Sequence, residues 1–351
     1  YTLRKQGIEA MRAYLDGTYS VFGLEKTLQT PTTEAVSERP AAEPEVSEPE
    51  PPTAEAETSE IEPALPAEKK AVLTAPQPKR ERVRFAPLYP EIPAGQRHDF
   101  HITDRELGVG SKAEKYASNV AAIRTLQTVE SENRLATPQE QEILSRYVGW
   151  GGLSQAFDPQ NTDWKKEYEE LKGLLSESEY ASARASTLNA HYTSPTVIRA
   201  MYEAVERMGF TSGNILEPAC GVGNFFGLLP DSMAGSRLYG VELDSLTGRI
   251  ARHLYPQAHI TVTGFETTDR RDFFDLAIGN VPFGNYQVSD KPYDKLHFPI
   301  HDYFFAKALD QVRPGGVFAF ITSYGTMDKQ NPDVRRYIAR RAELLGAVRL
   351  P

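Results

Sequence analysis

Cys220 is the one cysteine in these 351 residues. A disulfide framework and a zinc site built on cysteines are both excluded by that count. Also missing are an apolar run near the ~20 residues of a membrane-spanning helix and any secretory leader, so a cytoplasmic protein without a membrane partner is the default expectation. Cationic excess is absent too, the formal net charge being −9. That deficit is local. Between Pro31 and Glu68 stand eleven Glu and one Arg, a charge of −10, and ten prolines fall between Pro31 and Pro78. With almost no large apolar residues, this stretch cannot bury enough surface to offset chain entropy, and it reads as a disordered linker. Taking −10 from −9 leaves about +1 for the rest, so the acidic total says nothing against a nucleic-acid partner.

The remaining composition divides the chain into four parts. The chain begins at Tyr1 inside a helical pattern (Ile8, Met11, Leu15) and reads as a piece of a longer polypeptide, with residues 1–27 the tail of a preceding unit. The linker takes residues 28–95 and closes on a basic cluster, Lys79, Arg80, Arg82 and Arg84, that reads as a solvated end or a backbone contact for nucleic acid. Residues 96–190 are a helical extension expected to pack on the domain C-terminal to it. In it, Ala117, Val120, Ile123, Leu126 and Val129 recur at helical spacing, and Thr137, Pro138 and Glu140 form a helix start with a capping box. Gly149-Trp150-Gly151-Gly152 then forces a reversal that reads first as a packed corner.

From residue 191 to 351 helix and strand alternate. Val197, Met201, Val205 and Met208 share a helix face, and strands are expected at Asn214–Cys220, Arg237–Leu243, His259–Thr263, Phe274–Ile278 and Gly316–Thr322. Asp302 is expected to cap a helix carrying Phe305, Leu309 and Val312, Asn331 and Pro332 to open another reaching Gly346, and Ala347–Leu350 to form a short last strand. The fold class is α/β, a mostly parallel sheet in a three-layer, Rossmann-like arrangement.

In such a sheet ligands settle at the carboxyl ends of the strands, where the strand order reverses. The turn after the first strand carries Glu217, Ala219, Cys220, Gly221 and Gly223. Its glycine spacing, with Gly227, is GxGxxxG, and Glu217 sits four residues ahead of Gly221. An anion there is unfavourable beside a pyrophosphate and favourable beside the cationic methionine end of S-adenosylmethionine, so the latter is the expected cofactor. Glu242, preferred over Asp244, ends the second strand where a carboxylate can accept from both ribose hydroxyls. Phe265 can stack on the adenine ring and Glu266 accept its amino group, although both also fit an ordinary strand exit.

Asn280-Val281-Pro282-Phe283 come directly after the fourth strand. An exocyclic amino nitrogen becomes a better nucleophile when both its hydrogens meet acceptors that favour a tetrahedral nitrogen. The side-chain oxygen of Asn280 and the carbonyl of Val281 supply them, Pro282 fixes the turn, and Phe283 offers a face for the target ring. No strong base is required, since the amino proton becomes acidic and leaves once the methyl group has transferred, and positioning and electrostatics do most of the catalysis.

Together, the stretches from Leu216 to Phe225, Gly240 to Asp244 and Gly279 to Gly284 resemble the S-adenosylmethionine-dependent adenine-N6 DNA methyltransferases whose cofactor motif precedes the catalytic loop. The stretches Tyr147–Leu153, Ile300–Phe305 and Gly346–Pro351 are similar to counterparts in the large methyltransferase and helicase polypeptides of conjugative elements and phages, some linked to protection from restriction. The resemblance spans Phe100 to Pro351. It implies that Thr193, with Tyr192 beside it, holds the methionine carboxylate; that Glu217, Ala219, Cys220, Gly221, Gly223, Glu242 and Phe265 or Glu266 bind the cofactor; and that Asn280, Val281, Pro282 and Phe283 hold an adenine flipped out of DNA. It also implies a helicase region in the same parent polypeptide. The family's usual second loop residue is proline; Val281 keeps the carbonyl and loses the fixed φ.

Other readings of the loop stand beside this one. Glutamine methyltransferases share an asparagine-proline-proline-aromatic loop, but with a D-x-G-T-G type turn unlike Glu217-Pro218-Ala219-Cys220-Gly221. An adenine in RNA fits the same loop, which does not touch the sugar. A module that binds cofactor or DNA without catalysing is the third. Arg335, Arg336, Arg340 and Arg341 on a late helix read as phosphate contacts or as a solvated face.

Overall fold

The computed structural model describes residues 85–187 and 193–350. The tail at 1–27, the acidic part of the linker, its basic cluster, His191 and Tyr192 lie outside the described residues. The linker, expected to reach residue 95, gives way to packed chain earlier, since Phe85 already sets its ring edge-on to Tyr239 at 5.6 Å. Arg97 is buried and donates to the carbonyls of Leu88, Tyr89, Ile92 and Pro256.

Four helices come first: α1 (Lys112–Ser131), α2 (Pro138–Ser145), α3 (Lys165–Leu174) and α4 (Glu177–Ser186). Three of them start on a capping box, Ser111 with Glu114, Thr137 with Glu140 and Ser176 with Glu179, each satisfying two backbone N–H groups that a helix start leaves open. The glycine corner is a packed one. Gly149 and Gly152 take φ of +65° and +75°, Trp150 is buried between them, and the buried Asn119 donates to the Gly149 carbonyl (2.6 Å) while accepting from the Val148 N–H (2.9 Å).

The alternating part comes next: α5 (Pro195–Arg207), β1 (Asn214–Glu217), the single turn α6 (Asn224–Gly227), β2 (Arg237–Glu242), α7 (Ser245–Leu254), β3 (His259–Val262), β4 (Phe274–Asn280), α8 (Ile300–Gln311), β5 (Val312–Ile321), α9 (Gly325–Asp328) and α10 (Asp333–Ala339). The sheet order is β3-β2-β1-β4-β5 with every pair parallel, as the alternation requires. Side chains alternate across the two central strands. Ile215, Leu276 and Ile278 join Ile198, Met201, Ile250 and Leu254 of α5 and α7 in one core, while Leu216 and Ala277 join Tyr303, Phe304 and Ala306 of α8 in the other. Helices therefore cover both faces, in three layers. Among the described residues no helix is long and apolar enough to cross a membrane.

Several local expectations are corrected. β1 stops at Glu217, because Pro218 brings no N–H to a ladder. β5 starts at Val312, expected to end the preceding helix; Val312 pairs with Phe274 across a register shift. Asp302 does not cap α8. The cap is Pro299, and Asp302 lies in the first turn, fully buried and ion-paired with Lys329. α10 ends at Ala339 rather than Gly346, and Arg341 turns back to Asp310. Ala347–Leu350 form no strand; Arg349 instead pairs with Asp328 at 2.8 Å. Met208 lies beyond α5 and is exposed, and Ile198 and Tyr202 do the burying in its place.

Candidate active site

β2 and β3 lie on one side of β1, β4 and β5 on the other, so the order reverses between β1 and β4, and the carboxyl ends of these strands are where such a sheet takes its ligands. Glu217 ends β1 there. It is 3% exposed, and its Oε2 has no hydrogen-bond partner. Burial, then the nearby Glu242 carboxylate, pushes its pKa well above the usual carboxylate range. A buried carboxylate oxygen left open in this way suits a cationic or N–H-bearing ligand.

Past Pro218 the chain bends sharply. The Cys220 N–H still donates to the Val241 carbonyl (2.9 Å), holding the turn against β2, and Gly221 and Gly223 then take φ of +56° and +84°. A Cβ on Gly223 would stand 2.5 Å from the Tyr255 ring, so only glycine fits. Glu242 ties this turn to the end of β2. One carboxylate oxygen accepts from the Gly221 N–H (2.8 Å) and the other from the Asp244 N–H (2.8 Å). Burial raises its pKa to about 7, with the two backbone donors pulling the other way. Asp244 is occupied elsewhere: it caps α7 through the Thr247 N–H (2.8 Å) and hydroxyl (2.6 Å), and accepts from Ser182 of α4 (2.6 Å).

At the exit of β3, Phe265 is 3% exposed, with its ring 4.9 Å from that of Phe304. It is therefore a wall of the core, with no open face for stacking. Glu266 is half-buried and folds its carboxylate back over Gly264.

β4 ends on Gly279 and Asn280. Gly279 has φ of +155°, and a Cβ there would meet Glu217 Cγ at 3.2 Å. This close approach brings the β1 acid beside the start of the loop from Asn280 to Phe283. Asn280 pairs with Ile321, and the Val281 N–H donates to the Ile321 carbonyl (3.1 Å). The side chain of Val281 is 1% exposed, sunk into the core it shares with Leu216 and Ala277. Pro282 and Phe283 are half-buried, Phe283 packing against the same core. Ala219 packs there too and Cys220 is buried, while Thr193 stands just before Ser194, the cap of α5.

Glu217, Gly221, Gly223, Glu242 and the loop from Asn280 thus gather at the ends of three neighbouring strands. Two contributors are absent from the residues expected on sequence grounds. Gly279 had a signal, a glycine directly before Asn280. The buried group Asp290, Tyr303 and Lys307 had none, since its members meet only through the fold.

No protein-family model matches the chain. Over 222 residues it is 30% identical to Defense against restriction protein B of Escherichia phage P1, a match covering 61% of this chain and 8% of that protein. The chain is similar to that phage protein. Over 79 residues it is also 40% identical to the type II methyltransferase M.CvrRI of Paramecium bursaria Chlorella virus XZ-6E, covering 22% of this chain and 21% of that protein. The chain thus spans a small part, 8% and 21%, of the lengths of these curated relatives. Among solved structures, the methyltransferase subunit of a type I restriction-modification system from Streptococcus thermophilus superposes with a TM-score of 0.36 and 14% identity, over 63% of this chain and 59% of that one.

Proposed function

We propose that this chain carries an S-adenosylmethionine-dependent methyltransferase site that acts on the exocyclic amino group of adenine in DNA. One observation carries the reading. Glu217, buried with an unpartnered carboxylate oxygen, lies against Gly279, and the next residue, Asn280, begins the amine-holding loop. A buried acid that a bound cation would ionise and a loop that wants an amine are adjacent, as a transfer between two bound molecules requires.

The residues fit the cofactor. Its ammonium group suits Glu217, its carboxylate the Thr193 segment, and its ribose hydroxyls Glu242, whose oxygens each keep acceptor capacity after one backbone hydrogen bond. Gly221 and Gly223 let the main chain approach closely. When bound, the cofactor supplies an electrophilic methyl group on a sulfonium.

On the other side, the side-chain oxygen of Asn280 and the carbonyl of Val281 accept the two amino hydrogens and draw the nitrogen toward a tetrahedral shape. Sinking its side chain into the core gives Val281 the fixity that proline supplies elsewhere. Phe283 holds the ring face. Reaching this loop requires the base to leave the duplex stack, at a cost of a few kcal/mol. The relatives named for restriction defence and for type II methylation support DNA as the substrate.

The test is transfer of labelled methyl groups from S-adenosylmethionine to adenine-containing DNA, with RNA and a glutamine peptide in parallel and Asn280→Ala as control. The expected outcome is label in N6-methyladenine of DNA, lost in the variant. A chain that binds S-adenosylmethionine and labels no DNA would sink the proposal.

A further inference from the structure

The segment from Val281 to Pro299 joins β4 to α8 and begins with the amine-holding loop. One backbone bond holds it to α8, the Tyr286 carbonyl accepting from the Ile300 N–H (2.8 Å), and its buried side-chain anchor lies ten residues beyond Asn280, at Asp290, which is 5% exposed. The Asp290 carboxylate accepts from Lys307 Nζ (2.7 Å) and from the Tyr303 hydroxyl (2.8 Å), both on α8. Its backbone is fixed as well, the N–H donating to Asp294 Oδ1 (2.7 Å) and the carbonyl accepting from the Tyr293 N–H (2.8 Å). The Tyr293 hydroxyl then donates to Asp310 (2.6 Å).

Lys307 is 3% exposed, and its ammonium sits 5.2 Å from the centre of the Phe265 ring and 5.9 Å from those of Tyr293 and Tyr303. One side chain therefore lies against both Phe265 at the β3 exit and the segment that carries the loop. Burying an ion pair gains little over well-packed apolar residues of the same volume, since desolvation offsets the attraction. What such a pair does supply is direction. Lys307 has one buried carboxylate to reach, and reaching it fixes where Asp290 and the chain behind it stand.

We propose that Lys307 is a positioning residue for methyl transfer, holding the loop from Asn280 to Phe283 in place against the β3 exit through Asp290. The inference rests on the function proposed above. It differs from a claim about stability, because an uncharged replacement of the pair preserves packing and loses the alignment.

The test uses the 351-residue chain with Lys307→Met, and with Lys307→Met combined with Asp290→Asn, which leaves no buried charge uncompensated should the single variant fold poorly. Hydrogen exchange without any ligand is the first readout. In the double variant the amides of 281–299 exchange at least about tenfold faster while those of β1 are unchanged. The second is kinetic: kcat for DNA methylation falls about 10- to 100-fold, the Kd for S-adenosylmethionine stays within about threefold, and Lys307→Arg restores most of the rate. Unchanged exchange in 281–299 overturns the proposal, as does a parallel loss of kcat and cofactor affinity. A wild-type chain that binds the cofactor but labels no DNA overturns the functional reading and the catalytic half of this one, and the exchange result still decides the anchoring.

Discussion

The two halves of the candidate site are held by different means. At the ends of β1 and β2, where the cofactor is proposed to bind, polar groups are fixed by close backbone partners: Glu242 by the N–H groups of Gly221 and Asp244, Cys220 by Val241, and the turn itself by glycine dihedrals. Beyond β4, on the proposed target side, the chain leaves the sheet after a single bond from Val281 to Ile321, is tied to the start of α8 where the Tyr286 carbonyl accepts from the Ile300 N–H (2.8 Å), and is secured again at Asp290 through side chains of α8. Backbone bonding makes the first half rigid by local geometry. The second half depends more on side chains of a distant element, the buried pair of Asp290 and Lys307 among them.

That contrast can be broken from either side. Asn280→Ala is expected to have the largest effect, a loss of methyl transfer of about hundredfold or more with the Kd for S-adenosylmethionine unchanged, read by labelled transfer and calorimetry. Gly223→Ala attacks the other half. The methyl group meets the Tyr255 ring at 2.5 Å on a backbone with φ of +84°, so cofactor binding weakens about tenfold or more and unfolding is easier by about 1–3 kcal/mol, seen by titration and denaturant melts.

Glu242 sharpens the comparison through pH. With its pKa near 7, the carboxyl is neutral below and ionised above that value, and ribose hydroxyls donate better to the ionised form. Cofactor affinity should therefore rise as pH passes upward through 7, and Glu242→Gln should flatten the profile. The smallest effect concerns stability. The folded pKa of Glu242 lies above the ordinary 4.5, so the folded state holds the proton more tightly than the unfolded chain. Its contribution is complete below pH 4.5 and is lost as pH rises through about 7; the shift at Glu217 has the same sign. The ligand-free chain should melt a few degrees lower at pH 8 than at pH 5, other groups aside, with saturating cofactor reducing the difference.

Much of the fold is legible in the sequence because it is local. The capping box at Thr137 occupies four residues, and the starts of β1 to β4 come from buried apolar runs between turn residues. Pairing is harder to read. The first residues of β5, Arg313 to Gly315, are exposed and turn-like, and belong to a strand only because Phe274 lies opposite Val312. Phe265 has the local setting of a stacking face at a strand exit. Its burial is set by Phe304, thirty-nine residues on, and no pattern in the neighbouring sequence records that contact. Asp302 has the chemistry of a helix cap, and Lys329 takes it for an ion pair instead.

Gly279 makes no chemistry of its own, yet it decides how near the ends of β1 and β4 can come. In a library with every residue tried at every position, this site should be among the least forgiving, because even alanine must displace Glu217 and hold a φ of +155°. The spacing between the ends of β1 and β4 is thus set by a missing side chain, which catalytic chemistry alone would give no reason to guard.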